Sequence, residues 1–286
     1  MNIGGKTAVY GVIGDPIQHT LSPMLHNAVF AHRGVDAVYV PFHVGPDSLF
    51  GAIDGFRSLG VKGLNVTVPH KEQVMHYIDT TPNLVDRAIG AVNTLVLTDG
   101  RVLGFNTDGV GFTADLKDQF AFDPEGRSAL VIGAGGSSRA VIFSLLEAGL
   151  QKLRVFNRTV DRAKGLVEYA FQYFPDRDIE AVVSIDEVPG KMDLVVNCTS
   201  CGMGENDPFP IDPDVLKKAA RVYDLIYAPQ ETKLLHEAKR RNIPSANGIG
   251  MLIHQACVAH RLWFPEADRT EVYSVMRKAY ESWRKH

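Results

Sequence analysis

The sequence predicts an α/β fold in two parts. An N-terminal α/β domain comes first, a Rossmann-like dinucleotide-binding domain follows, and C-terminal helices return to the first domain. Three observations carry this expectation. From residue 128 onward, apolar strand-length runs alternate with helical segments, the pattern of a parallel sheet joined by crossovers. At Ser128 to Gly149, SALVIGAGGSSRAVIFSLLEAG, an apolar run meets a glycine cluster that opens a helix. The two last helical stretches have no strand of their own, so they must bury their apolar faces elsewhere.

Bulk composition narrows the class. A chain of 286 residues that is 45% hydrophobic is long enough for two ordinary domains with cores. Lys plus Arg number 30 against 33 Asp plus Glu, so no basic excess points to nucleic acid. No apolar run reaches the roughly 18 residues of a membrane span. The opening MNIGGKTAVYGVIGDP lacks the plan of a signal peptide. With three cysteines, which cannot all pair, the expected home is a reducing cytoplasm.

In chain order, residues 8–14 read as a first strand ended by Asp15-Pro16. Ser22 is expected as a helix N-cap, with Pro23 as first helical residue and Gly34 as terminator. Thr20 and Ser22 then lie on a loop that suits plain capping, and equally a small anion held by hydroxyls and helix N–H groups. Val38 to Val44 is a second strand and Asp47 to Leu59 a helix. Leu64, Val66 and Val68 alternate with Asn65 and Thr67, which sends the two polar side chains to a cleft. Pro69 stops that strand and Lys71 stands just beyond. A lone Lys there is ordinarily a surface charge; its company sets it apart. Residues 91–109 form a hairpin around Asp99-Gly100, which brings Asn93 to Asn106, Thr107 and Asp108. Asp108 opens a helix to Phe120, and Asp118–Arg127 reads as a linker. The domains are placed at 1–113 plus 247–286, and at 114–246.

In the second domain Gly133, Gly135 and Gly136 let the backbone turn tightly, and the N–H groups at the helix start face an anion. The third glycine of the dinucleotide fingerprint falls on Ser138, so a bare strand–helix turn also fits. The next strand, Leu153 to Phe156, ends in Asn157-Arg158-Thr159. The ribose-reading carboxylate expected roughly 20 residues after the glycines is missing. Arg158, with Arg162 one turn later, suits the 2′-phosphate of NADP(H). Further strands are expected at 181–184, 193–197 and 221–226. Cys198 and Cys201 make a C-x-x-C that fits a redox pair or, more simply, small residues lining a ligand cleft. No spacing suggests a metal site. Gly248 and Gly250 lead into a helix at about 249–264 that carries Met251 and Gln255, and a last helix is expected at 270–283.

Seven motifs in register resemble one family. They are Thr20-Leu21-Ser22-Pro23, Asn65-Val66-Thr67-Val68-Pro69-His70-Lys71, Gly90-Ala91-Val92-Asn93-Thr94 and Asn106-Thr107-Asp108-Gly109, then Gly133-Ala134-Gly135-Gly136, Asn157-Arg158-Thr159 and Gly248-Ile249-Gly250-Met251-Leu252. Over essentially its whole length the chain resembles the shikimate 5-dehydrogenases. The resemblance implies reversible, NADPH-dependent reduction of 3-dehydroshikimate to shikimate, on the route to chorismate and the aromatic amino acids. It also implies two α/β domains around a cleft. Lys71 matches the family's acid/base lysine and Asp108 its partner. Asn65, Thr67, Asn93 and Gln255 match ligands of substrate hydroxyls, Thr20 and Ser22 the pair that holds the carboxylate, and Tyr227 a tyrosine near the substrate. Gly133, Ala134, Gly135, Gly136, Ser137, Asn157, Arg158, Thr159 and Arg162 match the cofactor site, with Leu225 and Gly248 beside the nicotinamide. The family's usual serine is Thr20 here, which adds a methyl beside the carboxylate site.

The chemistry also stands on the residues. Ketone reduction needs a hydride, which a nicotinamide supplies, and a proton donor, for which Lys71 held by Asp108 is suited. His19, His26 and His70 lie close in sequence and fit loop or cap roles. A quinate or aminoshikimate dehydrogenase on the same frame is the alternative. A non-catalytic NADP(H) sensor would have no need of both Lys71 and Asp108. A monomer or homodimer, with a small-molecule substrate and neither nucleic acid nor membrane as partner, completes the expectation.

Overall fold

The structure is a computed structural model and describes residues 3–204 and 206–285. It divides into two compact units, Met1–Gly111 with Ile253–His286, and Phe112–Leu252.

The N-terminal part of unit 1 is built from β1 (Ala8–Gly14), α1 (Ser22–Arg33), β2 (Ala37–His43), α2 (Leu49–Ser58), β3 (Gly63–Val66), α3 (Leu84–Ile89), β4 (Thr94–Thr98), β5 (Arg101–Phe105) and the start of α4 (Asp108–Phe120). Its sheet runs β2-β1-β3-β4-β5. β1 is parallel to both neighbours, while β3, β4 and β5 are antiparallel. β1 explains why the sheet is central. Tyr10 and Val12 enter a core with Phe30 and Tyr39, whereas Ile13 joins Leu49, Ile53, Phe56, Leu64 and Leu95 in another, as strand alternation requires. The β4–β5 turn has Asp99 and Gly100 at φ of 51° and 71°, the positive pair that a tight hairpin demands.

Several expectations are corrected. The α1 N-cap is Leu21, not Ser22; Ser22 is the first helical residue, and its N–H donates to Thr20 Oγ1 at 3.3 Å. The helix expected at 47–59 is a short 3₁₀ turn, Pro46–Ser48, followed by α2. β3 ends at Val66, and Val68 is 60% exposed instead of buried, because the chain turns away there.

Unit 2 holds β6 (Ser128–Ile132), α5 (Gly136–Glu147), β7 (Lys152–Phe156), α6 (Val160–Tyr173), β8 (Asp178–Val182), β9 (Leu194–Asn197), β10 (Val222–Asp224), α7 (Lys233–Arg240) and β11 (Ser245–Asn247). The strands are all parallel in the order β11-β10-β9-β6-β7-β8. This is the doubly wound order with its switch point between β6 and β9, the place where such sheets bind ligands. β8 starts at Asp178, ahead of the expected 181. β11 lies outside the sequence expectation: Ser-Ala-Asn has no strand pattern, and pairing with β10 makes it one. The segment Asp118–Arg127 is no boundary, since the unit border falls inside α4, where Phe112 packs edge-on against Tyr223 at 5.1 Å.

The chain then runs through α8 (Ile249–Trp263) and α9 (Arg269–Trp283). From Ile253 on it belongs to unit 1. Trp263 packs near Tyr10 at 5.1 Å and donates its Nε1–H to Leu95 O, while His32 meets Glu271 and Arg33 meets Glu266. Thus α8 reaches the first sheet through Trp263, while α9 packs against α1 and α8.

Candidate active site

Unit 1 gathers a polar cluster at the ends of β3, β4 and β5. Lys71 Nζ lies 2.6 Å from Asp108 Oδ2, with the side chains 12% and 6% exposed. Asp108 is fixed from behind. Its N–H donates to Asn106 Oδ1 at 3.1 Å, and Asn106 in turn donates to Ala91 O. Its Oδ1 accepts from Asn93 Nδ2 at 2.8 Å. Asn93 Nδ2 also lies within bonding distance of Thr107 Oγ1 and Gln255 Oε1, and Asn93 Oδ1 accepts the Thr107 N–H at 2.7 Å. Thr107 Oγ1 donates to Gln255 Oε1 at 3.2 Å. Two amide protons facing three acceptors leave Asn93 none to spare, so here it brackets Asp108. The hairpin provides this register, because it sets Thr94 opposite Phe105 and brings residues 93 and 107 together.

Asn65 sits next to this cluster. Its Nδ2 donates to Asn93 O at 3.2 Å and to Thr94 Oγ1 at 3.0 Å, and its Oδ1 accepts from the Tyr39 hydroxyl at 2.7 Å. Thr67 follows β3, with its N–H on Ile13 O. Thr20 Oγ1 is engaged with the Ser22 N–H, and Ser22 is buried. None of the three nearby histidines is placed as an acid. His70 donates its Nε2–H to Val44 O at 2.6 Å, His26 is buried and stacked 4.4 Å from the Tyr39 ring, and His19 is exposed on its loop. The sequence pattern singles out neither Tyr39, Thr94 nor Thr107 as a site residue. Tyr39 looks like any apolar member of a strand, and Thr107 reads only as a hairpin end.

In unit 2 the glycine turn after β6 lies at the switch point. Gly133 has φ of 114°, and a Cβ there would stand 3.0 Å from Ser138 Oγ and 3.2 Å from Thr199 Cγ2. Gly135 is the α5 N-cap, and its N–H donates to Ser138 Oγ at 3.3 Å. Ser138, buried where the fingerprint has its third glycine, therefore closes the turn with a hydrogen bond. A Cβ on Gly135 would meet nothing within 4 Å, which is room for a ligand's pyrophosphate beside the helix start. Ala134 is buried, whereas Gly136 and Ser137 are half-buried on the first turn of α5.

At the end of β7, Asn157 Nδ2 donates to Thr159 O at 2.8 Å, and no carboxylate occupies the position. Arg158 and Arg162 are exposed there, and Arg158 makes no ion pair among the described residues. Two exposed guanidinium groups are the kind of charge that binds a phosphate dianion. Leu225 and Tyr227 follow β10 and are half-buried, and a Cβ on Gly248 would collide with the Leu225 carbonyl. Cys198 and Cys201, both half-buried and in no disulfide among the described residues, lie in the loop after β9; Asn197 Nδ2 reaches Cys201 O at 3.4 Å. Among the described residues no group of three or more His, Cys, Asp or Glu could hold a metal, and no helix is long and apolar enough to cross a membrane.

Asp224, at the end of β10, is buried and accepts from Asn197 Nδ2, the Ile226 N–H and Thr232 Oγ1. Burial raises its carboxyl to about 6, against the pull of those three donors.

A doubly wound sheet with a glycine turn and a basic second strand end, carried with an α/β unit that buries a Lys–Asp pair in an amide network, defines a dinucleotide-dependent α/β oxidoreductase. Residues 12–95 match the family described as the shikimate dehydrogenase substrate binding domain, and residues 116–202 match shikimate / quinate 5-dehydrogenase. The NADP(+)-dependent shikimate dehydrogenase of Caldanaerobacter subterraneus subsp. tengcongensis is 43% identical over 283 residues, covering 97% of this chain and 99% of that protein. The solved shikimate dehydrogenase of Aquifex aeolicus is 39% identical with a TM-score of 0.87, over 98% of this chain and 99% of that one. That of Thermus thermophilus, solved with NADP(H) and shikimate, is 33% identical with a TM-score of 0.81, over 95% and 99%. The chain belongs to the shikimate dehydrogenase family.

Proposed function

We propose that this chain is an NADP-dependent dehydrogenase that reversibly reduces 3-dehydroshikimate to shikimate, with the cofactor held by unit 2 and the substrate by unit 1. The observation that carries this reading is the 2.6 Å pair of Lys71 and Asp108, enclosed by amides and hydroxyls instead of solvent. When bound, NADPH supplies the hydride. The residues of this chain do the rest. Lys71 gives a proton from Nζ to the carbonyl oxygen as it becomes an alkoxide, and takes it back in the reverse direction. Asp108 holds the ammonium in place, and Asn93, Thr107 and Asn106 hold Asp108. Asn65, Thr67 and Gln255 meet substrate hydroxyls, Thr20 and Ser22 the carboxylate, and Tyr227 is a further substrate residue. Gly133 to Ser137 cradle the pyrophosphate. Asn157, Arg158, Thr159 and Arg162 take the adenosine 2′-phosphate, where the guanidinium fork matches phosphate geometry. Leu225 and Gly248 border the nicotinamide. The protein works in the cytoplasm as a monomer or homodimer.

A second reading, a quinate-using enzyme, is favoured by one feature: the methyl that Thr20 brings to the carboxylate-holding loop. The test is nicotinamide absorbance with shikimate and quinate, each with NADP⁺ and NAD⁺. Shikimate with NADP⁺ is expected to give the highest kcat/KM. Preference for quinate would transfer the reading to the alternative, and no turnover with either acid would overturn both.

A further inference from the structure

Tyr39 lies in the middle of the edge strand β2 and is 1% exposed. Its placement is determined on three sides. The backbone is clamped by Asn27 of α1, whose Nδ2 donates to Tyr39 O and whose Oδ1 accepts the Tyr39 N–H, both at 2.8 Å. The ring lies flat on His26, 4.4 Å away and 9° from parallel. The hydroxyl donates to Asn65 Oδ1 at 2.7 Å.

The bonds at Asn65 fix which way its amide faces. Asn93 O can only accept, so the atom it meets must be the NH₂ group, and the oxygen must face Tyr39. Both amide protons are then spent, on Asn93 O and Thr94 Oγ1, while the oxygen has one lone pair left. Asn65 can therefore offer a ligand only an acceptor, one that selects a hydroxyl proton.

We propose that Tyr39 is a positioning residue for substrate binding: its hydroxyl locks Asn65 as a hydroxyl acceptor, so that the group meeting a substrate hydroxyl is held in one orientation. This rests on the function proposed above. Tyr39 touches neither cofactor nor reacting atoms in this assignment, so it governs affinity for the substrate alone.

The test is steady-state kinetics of Tyr39→Phe, which removes one oxygen and keeps the ring. KM for shikimate should rise about tenfold, the scale of one buried hydrogen bond, while kcat and the KM for NADP⁺ stay within about twofold. In an Asn65→Ala background the same substitution should have little effect, which a purely structural role for Tyr39 would not produce. An unchanged shikimate KM, or an equal rise in both backgrounds, overturns the proposal while wild-type turnover leaves the function standing. A wild-type protein without shikimate turnover overturns the function and this proposal with it. Should Tyr39→Phe fail to fold, Thr94→Val loosens the same amide from its other side; a rise in shikimate KM supports the proposal and an unchanged one overturns it.

Discussion

Lys71 and Asp108 are 37 residues apart in sequence, yet each is nearly closed off from solvent by the other and by Asn93. A pair in that setting is held rigidly, and removal of the amine deletes the proposed proton donor while leaving the other proposed substrate residues in place. Lys71→Ala is expected to lower kcat by about 10²–10⁴ with little change in substrate KM. Stopped-flow or steady-state rates with shikimate check this, and a near wild-type kcat would exclude Lys71 as the proton-transfer group. At this scale the sequence is informative where motif and chemistry coincide, as at Lys71, Asn93 and Asp108. It is silent on Tyr39, because a phenol inside a run of strand residues reads as core. Its partner Asn65 lies 26 positions away, and only the parallel pairing of β2, β1 and β3 brings the two onto one face.

At the level of elements, close approach decides what a residue may be. Gly248 follows β11 where the backbone of Leu225 leaves β10, and a side chain there has no space. Gly248→Ala should force these strand ends apart and cost about 1–3 kcal/mol or more. That corresponds to several degrees in the melting temperature of the variant, read by differential scanning calorimetry. An unaltered melting curve would show that the β10–β11 end gives way freely. Local pattern anticipates β1, β6, β7 and α5, whose apolar runs and glycine stops are strong signals. It fails at β11 and at the α1 cap for the same reason. Ser245–Asn247 is a strand only because β10 offers it hydrogen bonds, and Thr20 takes the Ser22 N–H only because of how the loop before it folds.

The two units carry acid sensitivity of opposite sign. In unit 1, His260 is buried beside Arg33, and burial with that charge lowers its pKa to about 4. His26, 6.1 Å away by ring centroid, is likewise pushed well below its usual range, chiefly by burial. Unfolded histidine titrates near 6.5, so the unfolded chain binds more protons between about 6.5 and 4. The stabilisation is therefore whole above about pH 6.5 and is lost as pH falls toward 4. His260 alone loses about 2 kcal/mol by about pH 5. In unit 2, Asp224 has a raised pKa of about 6, so its contribution is present at low pH and is lost as pH rises through 6. Both tryptophans, Trp263 and Trp283, belong to unit 1, and Trp263 lies 5.2 Å from the His26 ring. Tryptophan-detected melts should therefore fall in midpoint between about pH 7 and 5, and His260→Gln should flatten the fall; an equal fall in the variant would locate the sensitivity elsewhere. On the scale of the whole chain, the sequence by itself determined the α/β class, the βα alternation, the glycine turn, Asn157 in place of a carboxylate at the end of β7 and the order of seven motifs. Those properties are written in local spacing and residue type. Only the tertiary structure decided that Ser245–Asn247 is a strand, that the last helix packs on α1, and which partners the side chains of Asn93 and Tyr39 bond. Such facts depend on which distant backbone segments supply the missing hydrogen-bond partners and apolar surface, and no local pattern specifies that.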